Sequence, residues 1–373
     1  MAGAQSLMKN KNILITGGGT GGHLFPALAI GDEITNREPN INIHYVGSNF
    51  GLESKVFPVK DVWHTLLPIR GYQRGFSLGS IGKNILLPFR IIVSLKKLKN
   101  LFKHFKPDII IGTGGYASAL PLYLAEKKYK DICILLQEQN SYPGITTRWF
   151  SEKSKTVCVG FQATINHLNT NTILTGNPVR KGISNGKKSD SESIFNLNPN
   201  KKTVLLFGGS QGSTFLNKMM ENILEKISNI DIQILWQTGD LDYREYKKYN
   251  NYKIRVTPFI DNMATAYSLA DLVVCRSGAL TLAEITVCGK PSILIPYPHA
   301  AGDHQTKNAQ ALVNAGAARI LFEKNLKAND LFELINNLIS NSDEISKMSK
   351  ASKRIGKPNA TKLIVDQIFE LAV

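Results

Sequence analysis

Two apolar runs of the sequence each end in a cluster of glycines, and this repeated pattern restricts the fold more than any other feature. The first half contains ILITGGGTG (residues 13–21) and the second half contains VLLFGGSQG (residues 204–212). A short run rich in Ile, Val and Leu is typical of a buried strand, and glycines directly after it are typical of a tight turn into a helix. Each half is therefore predicted to begin with a strand, a glycine turn and a helix.

Further apolar runs continue this alternation through both halves. The predicted strands are residues 12–16, 41–46, 108–112, 132–137 and 156–160, then 203–207, 231–237, 253–259, 271–275 and 291–297. Helical patterns separate most of them, and this order predicts an α/β fold with parallel sheets in two Rossmann-like domains. Because open parallel sheets bind ligands beyond the carboxyl ends of their strands, we expect the two domains to face each other across a ligand-binding cleft.

The predicted domain boundary follows GNPVR (residues 176–180), where the chain becomes polar and rich in Asn, Ser and Lys. Such a segment is typical of a surface connection. The predicted N-terminal domain is residues 10–178 and the predicted C-terminal domain is residues 179–355. Residues 356–373 are predicted to form a helix capped near Asn359, and by analogy with this fold class we expect it to pack back on the first domain.

Composition limits the class of protein. The 373 residues are 43% hydrophobic and 20% charged, as in a globular chain long enough for two domains. The four cysteines form no CxxC pair, so neither a disulfide framework nor a zinc site is predicted. No run approaches the roughly 18 apolar residues of a membrane-spanning helix, and the N-terminus leads directly into a strand. We expect a chain that is neither exported nor membrane-spanning.

The net charge of +16 is concentrated in residues 74–106, which hold eight Lys or Arg residues and no acid. Written as a helix, this segment has one apolar stripe that is expected to pack on the sheet: Ile91, Leu95, Leu98, Phe102 and Phe105. A second stripe runs from three apolar residues into a row of lysines: Ile85, Phe89, Ile92, Lys96, Lys99 and Lys103.

We expect this second stripe to face an anionic membrane surface, where each lysine contributes about 1 kcal/mol. The alternative is a solvated helix face, and Pro88 is expected to disturb the helical register. Nucleic acid is not expected as a partner, because the basic run has few interleaved stacking aromatics and no recognition module is present.

The best candidate for a phosphate site is Arg276-Ser277-Gly278, which follows a predicted strand and leads into a helix. The free N–H groups and the dipole of a helix N-terminus favour an anion by about 0.3 to 1 kcal/mol. One turn further on, the carboxylate of Glu284 is expected to bind two ribose hydroxyls, the alternative being an ordinary surface glutamate. The spacings of a dinucleotide fingerprint and of a P-loop are both absent, so no cofactor is predicted.

Two groups of acidic or histidine residues have the chemistry of metal ligands. Asp240 and Asp242 form a DxD sequence, and His299, Asp303 and His304 lie within six residues. The two aspartates begin a charged helix, where Asp is an ordinary cap or first-turn residue, and the second group has irregular spacing. No metal site is predicted.

These motifs together resemble glycosyltransferase family 28, in particular its peptidoglycan N-acetylglucosaminyltransferases. The matching stretches, in order across residues 17–318, are GGGTGGHLFPALAI, GTGGYAS, QEQN, GNPVR, GGSQGS, PFIDNMATAYSLADLVVCRSGALTLAEI and HQTKNAQALVNAGAA. The resemblance implies a GT-B fold and an inverting, metal-independent transfer of N-acetylglucosamine from UDP-N-acetylglucosamine. The implied acceptor is the C4 hydroxyl of undecaprenyl-diphospho-N-acetylmuramoyl-pentapeptide (lipid I), and the implied product is lipid II.

The resemblance also implies where the enzyme works and which residues bind its substrates. The implied location is the cytoplasmic face of the bacterial inner membrane, with other cell-wall synthesis proteins as partners. The backbone of Ile260 reads the uracil, Glu284 binds the ribose and Gln305 bonds the sugar hydroxyls; the role of the neighbouring His304 stays open. Residues bordering the donor are Thr20, Gly21, Gly22, Asn140, Arg180 and, on the phosphate side, Ser210. Those holding the sugar and diphosphate are Ala279, Leu280, Thr281, Leu282 and Ala283.

His23 is the predicted catalytic base. It follows the first glycine cluster at a helix N-terminus, where the helix dipole disfavours the protonated ring, and the glycines are expected to let backbone approach a sugar diphosphate. The alternative is that His23 only hydrogen-bonds the loop. A second function remains in view, that of a UDP-N-acetylglucosamine 2-epimerase, which would use the same donor site but needs no lipid-facing surface.

Overall fold

The computed structural model describes residues 11–71 and 85–371, and these form two compact units. The N-terminal unit runs to Pro178 and resumes at Asn359, and the C-terminal unit is Val179–Pro358. Each unit contains one sheet in which every pair of neighbouring strands is parallel. The prediction of two Rossmann-like α/β domains is confirmed.

The strand order of both sheets is that of a Rossmann fold, with one further strand (Thr172–Leu174) at one edge of the N-terminal sheet. The strands are β1 (Asn12–Thr16), β2 (Asn42–Ser48), β3 (His64–Leu67), β4 (Ile109–Gly112), β5 (Cys133–Glu138), β6 (Thr156–Val159), β7 (Thr172–Leu174), β8 (Lys202–Phe207), β9 (Ile232–Gln237), β10 (Ile254–Thr257), β11 (Leu272–Cys275), β12 (Ser292–Leu294) and β13 (Ala318–Ile320). Their order is β3-β2-β1-β4-β5-β6-β7 in the sheet of the N-terminal unit. In the sheet of the C-terminal unit the order is β10-β9-β8-β11-β12-β13.

The described helices lie mainly between the strands. They are α1 (Gly21–Arg37), α2 (Glu53–Val59), α3 (Leu87–Phe105), α4 (Tyr116–Lys128), α5 (Ile145–Phe150), α6 (Gln162–Ile165), α7 (Ser191–Phe195), α8 (Thr214–Glu221), α9 (Leu224–Ser228), α10 (Asp240–Tyr246), α11 (Met263–Leu269), α12 (Ala279–Val287), α13 (His304–Asn314), α14 (Ala328–Ser340), α15 (Ser342–Ile355) and α16 (Ala360–Glu370), with 3-10 turns at Ser151–Lys153, Lys188–Asp190, Lys247–Tyr249 and Ala301–Asp303. None of the helices in the described ranges is long and apolar enough to span a bilayer.

The register of the central strands brings the loops of each unit to one edge of its sheet. Thr16, the last residue of β1, pairs with Val46 of β2 and with Gly112 of β4. Phe207, the last residue of β8, is likewise flanked by Gln237 of β9 and Cys275 of β11. The segments that follow these strands therefore meet, and they include both glycine loops and the segment Arg276-Ser277-Gly278.

Both faces of the N-terminal sheet are covered, which explains the near-continuous apolar runs of its strands. One face packs against α1 and α16, with Ile364 and Ile368 of α16 fully buried. Arg37 of α1 also bonds Asp366 of α16, with 2.6 Å between Nη1 and Oδ1. The last helix of the chain is therefore part of the first sheet's core.

Helix α3 covers the other face of this sheet. Leu98 and Phe102 are buried in the core, and Ile91 and Phe105 are partly buried against it, as the first apolar stripe requires. Ile85, the first residue of the second stripe, precedes this helix, so only Phe89, Ile92 and the three lysines of that stripe lie on it. The helix begins at Leu87, so Pro88 lies in the first turn, where its missing N–H costs no helical hydrogen bond.

The polar segment after GNPVR is not a simple surface connection. Residues 181–202 contain the 3-10 turn Lys188–Asp190 and helix α7, and Ile183, Phe195 and Leu197 are buried in the C-terminal unit. These three apolar side chains anchor the segment, and the buried Ser191 donates to the carbonyl oxygen of Leu197 at 3.2 Å, while most of the other Asn, Ser and Lys residues are exposed.

Candidate active site

The first glycine loop, residues 17–22, follows β1 and is packed closely by its own unit. A Cβ atom at Gly17 would lie 1.8 Å from the hydroxyl of Thr113, and one at Gly18 would lie 2.3 Å from the carboxylate of Glu53. Real Cβ atoms do not approach other heavy atoms so closely. The space beside these two glycines is therefore filled by protein, whereas we expected it to admit a sugar diphosphate.

The later part of the same loop is more open. A Cβ at Gly19, whose φ is +91°, would still meet the Tyr116 ring at 2.6 Å. A Cβ at Gly21 would meet the ring of Phe25 at 2.9 Å, but this ring is half exposed. At Gly22 the nearest atom is the Thr20 hydroxyl at 3.6 Å, an ordinary contact. Thr20 and Gly22 are exposed, so the end of the loop is the part that is accessible to a substrate.

His23 is the third residue of α1, and its ring is held by two oxygen atoms. Nδ1 lies 3.0 Å from the carbonyl oxygen of Thr113 and 2.9 Å from Oε1 of Gln139. Both partners are acceptors, so Nδ1 must carry the hydrogen, and in the neutral ring Nε2 then has the free lone pair. This tautomer is the one that a base acting through Nε2 requires.

The orientation of Gln139 supports this tautomer. Its Nε2 donates to the carbonyl oxygen of Thr113 at 2.8 Å and to that of Gln137 at 3.1 Å, which leaves Oε1 directed at His23. Gln139 is buried, so exchange of its oxygen and nitrogen would place an N–H donor against the His23 ring inside the protein. No role was predicted for Gln139 from the sequence, where it appears only as part of the QEQN motif.

Asn140 is part of a loop that is organised by the buried carboxylate of Glu138. Oε1 of Glu138 accepts the backbone N–H of Asn140 at 2.9 Å and its side-chain amide at 3.2 Å. Oε2 accepts the N–H of Gly144 at 2.9 Å. In the sequence, Asn140 directly follows Gln139, the residue that orients His23, and both lie at the same edge of the sheet.

The second glycine loop, residues 208–212, is arranged differently at its second position. A Cβ at Gly212 would lie 1.9 Å from the carbonyl oxygen of Thr238, so the end of the loop is closely packed. Gly209, with φ of +96°, has nothing within 4 Å of its Cβ position, and the neighbouring Ser210 is exposed. This loop leaves open space at the place where the first loop is filled by Glu53.

Ile260 is linked to this loop through Gln237, a residue that sequence reasoning did not identify. Gln237 donates from Nε2 to the carbonyl oxygen of Gly209 at 2.8 Å, and its Oε1 accepts the backbone N–H of Ile260 at 3.0 Å. The backbone N–H of Ile260 is therefore already bonded within the protein, and its carbonyl oxygen is the backbone group that could bond a ligand.

Helix α12 begins beside the second glycine loop, after β11. Its N-cap is Gly278, which has no side chain to occupy the free N–H groups of the first turn. Arg276 is buried and links this segment to its neighbours. Its guanidinium donates to the carbonyl oxygen of Ile295 at 3.1 Å and to the Ser213 hydroxyl at 2.9 Å, and it forms an ion pair with Glu323 at 2.6 Å.

The predicted sugar and diphosphate residues all lie on α12. Leu282 is buried in the core and Ala279 is nearly so, whereas Leu280, Thr281 and Ala283 are partly exposed. The side chain of Leu282 therefore does not face a ligand, and any contact from it would be made by the backbone.

Glu284 and Arg180 are brought together in the C-terminal unit. The Glu284 side chain is only 8% exposed, so it is not a surface glutamate; Oε1 lies 3.0 Å from Arg180 Nε, and Oε2 accepts the Tyr267 hydroxyl at 3.2 Å. Burial raises the pKa of Glu284, against the opposing effects of the Arg180 guanidinium and the Tyr267 hydroxyl. The Arg180 side chain is 55% exposed, so this ion pair lies at the surface of the unit.

Gln305 adjoins the same region at the start of α13. Its backbone oxygen accepts the Ser277 hydroxyl at 2.8 Å, and its side-chain oxygen accepts the N–H of Tyr297 at 2.9 Å. The side-chain NH2 is thus the group that Gln305 offers to a ligand. His304 bonds the carbonyl oxygen of Ala301 at 2.6 Å.

The two groups of residues with metal-ligand chemistry form no metal site in the described ranges, where no three His, Cys, Asp or Glu side chains are arranged to hold an ion. Asp242 accepts instead from Asn217 at 2.9 Å, and Asp303 accepts from Thr306 at 2.6 Å.

Comparison with known proteins assigns the chain to a family. The profile described as "Glycosyltransferase family 28 N-terminal domain" matches residues 13–159, and the "Glycosyltransferase family 28 C-terminal domain" matches residues 203–367. A protein of Flavobacterium psychrophilum, named UDP-N-acetylglucosamine--N-acetylmuramyl-(pentapeptide) pyrophosphoryl-undecaprenol N-acetylglucosamine transferase, is 39% identical over 368 residues, which cover 98% of each chain.

Solved structures agree with this assignment. The crystal structure of Acinetobacter baumannii MurG matches with a TM-score of 0.77 and 27% identity, covering 97% of this chain and 99% of that chain. A UDP-N-acetylglucosamine 2-epimerase matches with a TM-score of 0.62 and 16% identity, covering 97% of each chain, and this likeness shows the fold alone. The predicted GT-B fold is confirmed, and the chain belongs to glycosyltransferase family 28 and, within it, to the MurG enzymes.

Proposed function

We propose that this chain transfers N-acetylglucosamine from UDP-N-acetylglucosamine to the C4 hydroxyl of lipid I and so forms lipid II. The observation that carries the proposal is His23, held in the tautomer of a base, in a chain that matches transferases of this name over nearly its whole length. A 2-epimerase is the second candidate. It is supported only by likeness of fold at 16% identity, and it explains neither the family match nor the exposed face of α3.

His23 acts in this reaction as the general base. Its Nε2 accepts the proton of the acceptor hydroxyl while the hydroxyl oxygen forms a bond to the anomeric carbon of the donor sugar. The bond between that carbon and the UDP oxygen breaks, and UDP leaves with the electron pair. Attack from the face opposite UDP inverts the anomeric centre. The two oxygens at Nδ1, from Thr113 and Gln139, keep the ring oriented as it becomes charged.

The donor is bound by residues of the C-terminal unit. The first turn of α12 offers N–H groups and a helix dipole to the diphosphate, and this charge stabilisation promotes departure of UDP. Ser210 and the open space at Gly209 adjoin the phosphates. Glu284 accepts the ribose hydroxyls, with Arg180 moving aside, and the Gln305 amide bonds the sugar. The carbonyl oxygen of Ile260 accepts the N–H of the uracil.

The exposed face of α3 docks on an anionic membrane surface, where the lipid-linked acceptor lies. Phe89 and Ile92 of this helix are 66% and 54% exposed, and Ile85, two residues before the helix begins, is 71% exposed, which is unusual for large apolar side chains so close together. Lys96, Lys99 and Lys103 are exposed on the same helix. An apolar patch continued by a row of cations fits reversible attachment to anionic lipid.

The test is to incubate the protein with labelled UDP-N-acetylglucosamine and a chelator, with and without a short-chain lipid-linked muramyl pentapeptide. We expect UDP and a labelled disaccharide lipid to appear only when the acceptor is present. Formation of the 2-epimer of the donor without acceptor, or a strict requirement for added metal, would contradict the proposal.

A further inference from the structure

A buried carboxylate fills the first glycine loop, and no catalytic role described above uses it. Glu53 is the first residue of α2, and it is fully buried. Its Oε1 and Oε2 each lie 3.0 Å from the backbone nitrogen of Gly19, and Oε1 also accepts the N–H of Ser48 at 2.8 Å. The carboxylate thus binds the backbone of the first glycine loop and that of the last residue of β2.

Three glycines leave room for this one side chain. A Cβ at Gly18 would lie 2.3 Å from the Glu53 carboxylate, and a Cβ at Gly51 would lie equally close to it. A Cβ at Gly47 would lie 2.4 Å from Glu53 Cγ. A side chain at any of these three positions would collide with Glu53, so the buried acid needs glycine at all three.

The corresponding loop of the C-terminal unit has no such side chain. The motifs GGGTG and GGSQG align Gly18 with Gly209 and Gly19 with Ser210. A Cβ at Gly209 would meet nothing within 4 Å. In the N-terminal unit, an internal anion therefore occupies the position at the loop N–H groups that the C-terminal unit leaves open.

The turn held by Glu53 leads directly to the base. Thr20, the residue after Gly19, is the N-cap of α1, and its carbonyl oxygen accepts the N–H of His23 at 3.2 Å. The first turn of α1 therefore projects from the Gly18-Gly19 turn. A shift in this turn moves His23 relative to the oxygens of Thr113 and Gln139.

We propose that Glu53 is a positioning residue for His23: its carboxylate fixes the Gly18-Gly19 turn from which α1 and the imidazole project. The Glu53 carboxylate occupies the position at the loop N–H groups where a phosphate could otherwise bind. The first loop therefore positions the catalytic base and does not bind a phosphate. This inference rests on the proposed transferase function, because the consequence of moving His23 is a loss of turnover.

The test compares Glu53→Gln, which keeps the shape but turns an NH2 group towards backbone N–H donors, with Glu53→Ala, which leaves a cavity. We expect kcat to fall on the order of 100-fold in Glu53→Ala, since a displacement of about 1 Å has an effect of that size. The fall in Glu53→Gln is expected to be smaller. The KM for UDP-N-acetylglucosamine and the affinity for UDP are expected to stay at the wild-type values in both variants.

Chemical rescue separates positioning from a merely structural role. Added acetate is expected to restore part of the kcat of Glu53→Ala but not that of Glu53→Gln, whereas chloride at the same ionic strength restores neither. Glu152, an exposed acid of the same unit, provides the control variant Glu152→Ala, which should keep full activity. Wild-type kcat in both Glu53 variants would overturn the inference. A loss of kcat that parallels the fall in melting temperature, with an equal loss of UDP affinity and no rescue by acetate, would also overturn it.

A measurement that needs no activity distinguishes failure of this inference from failure of the proposed function. Long-range proton–nitrogen NMR spectra of the His23 ring should show hydrogen on Nδ1 in the wild type and a mixture of tautomers in Glu53→Ala. An unchanged ring in Glu53→Ala would overturn the positioning role even if the wild type transferred no sugar.

Discussion

We expect the buried carboxylate of Glu284, the proposed ribose ligand, to couple donor binding to pH. Ribose hydroxyls donate hydrogen bonds, so they favour the ionised carboxylate over the protonated form. Burial raises the folded-state pKa above the ordinary value of 4.5, with Arg180 and Tyr267 opposing this rise. By linkage, protonation favours the folded state: the contribution of Glu284 to stability is present below 4.5 and is lost as the pH rises through the raised pKa.

We therefore expect the affinity for UDP to be highest at neutral pH and to fall as the pH is lowered through the raised pKa of Glu284. In Glu284→Gln the affinity at neutral pH should be about 10 to 100-fold weaker, since a hydrogen bond to a charged group contributes about 1.5 to 3 kcal/mol. Titration calorimetry with UDP across the acid range measures both effects.

The exposed Glu333 of α14 provides the control, because Glu333→Gln should reproduce the wild-type profile. An acid loss of affinity that persists unchanged in Glu284→Gln would show that another group titrates and would refute the assignment of Glu284.

Single residues also show where sequence reasoning reaches its limit. His23 was recognisable because the glycine cluster and the helix start are its immediate neighbours in the chain. Gln139 and Glu53 were not, since Gln139 lies 116 residues from His23 and Glu53 lies 34 residues from Gly19. Contacts of this kind arise only when the sheet brings the ends of separate strands together, and a spacing pattern contains no information about them.

At the scale of elements, burial explains which strands were predicted. The runs at β1, β4 and β8 are almost wholly apolar because both faces of these strands are covered. The strands β3, β7 and β13, which were not predicted, are three or four residues long and lie at the outer edges of their sheets, largely half-buried. Edge strands need fewer apolar residues, so their signal is weak.

Helix α3 combines two functions on two faces, one in the core and one at the proposed membrane surface. Replacement of Lys96, Lys99 and Lys103 by Gln should weaken binding to vesicles of anionic lipid roughly 100-fold, because three lysines together contribute about 3 kcal/mol. The affinity for UDP should be unchanged. Vesicle sedimentation at several salt concentrations measures the effect, and the wild-type binding should weaken as salt increases.

A matched change of charge elsewhere in the same unit provides the control. Lys127, Lys128 and Lys130 are exposed at and just after the end of α4, and their replacement by Gln should leave vesicle binding near the wild-type value. Equal losses in the two triple variants would show that only net charge matters and would refute a docking face on α3.

At the scale of the whole molecule, the two units share the same central strand order but differ in what occupies their glycine loops. In each, the loops after the three central strands meet at one edge of the sheet. The N-terminal loop is filled by Glu53 and carries His23, and the C-terminal loop is open at Gly209 beside the start of α12. The repeated glycine motif predicted the shared topology, but the difference depends on one acid outside the motif.

The measurement that tests the central claim most directly is acceptor-dependent release of UDP by the wild type and by His23→Ala, with chelator present. We expect His23→Ala to lose turnover on the order of 100 to 10,000-fold, the usual contribution of a general base, while binding UDP as the wild type does. Turnover by His23→Ala at the wild-type rate, or an equal loss of UDP binding, would contradict the account.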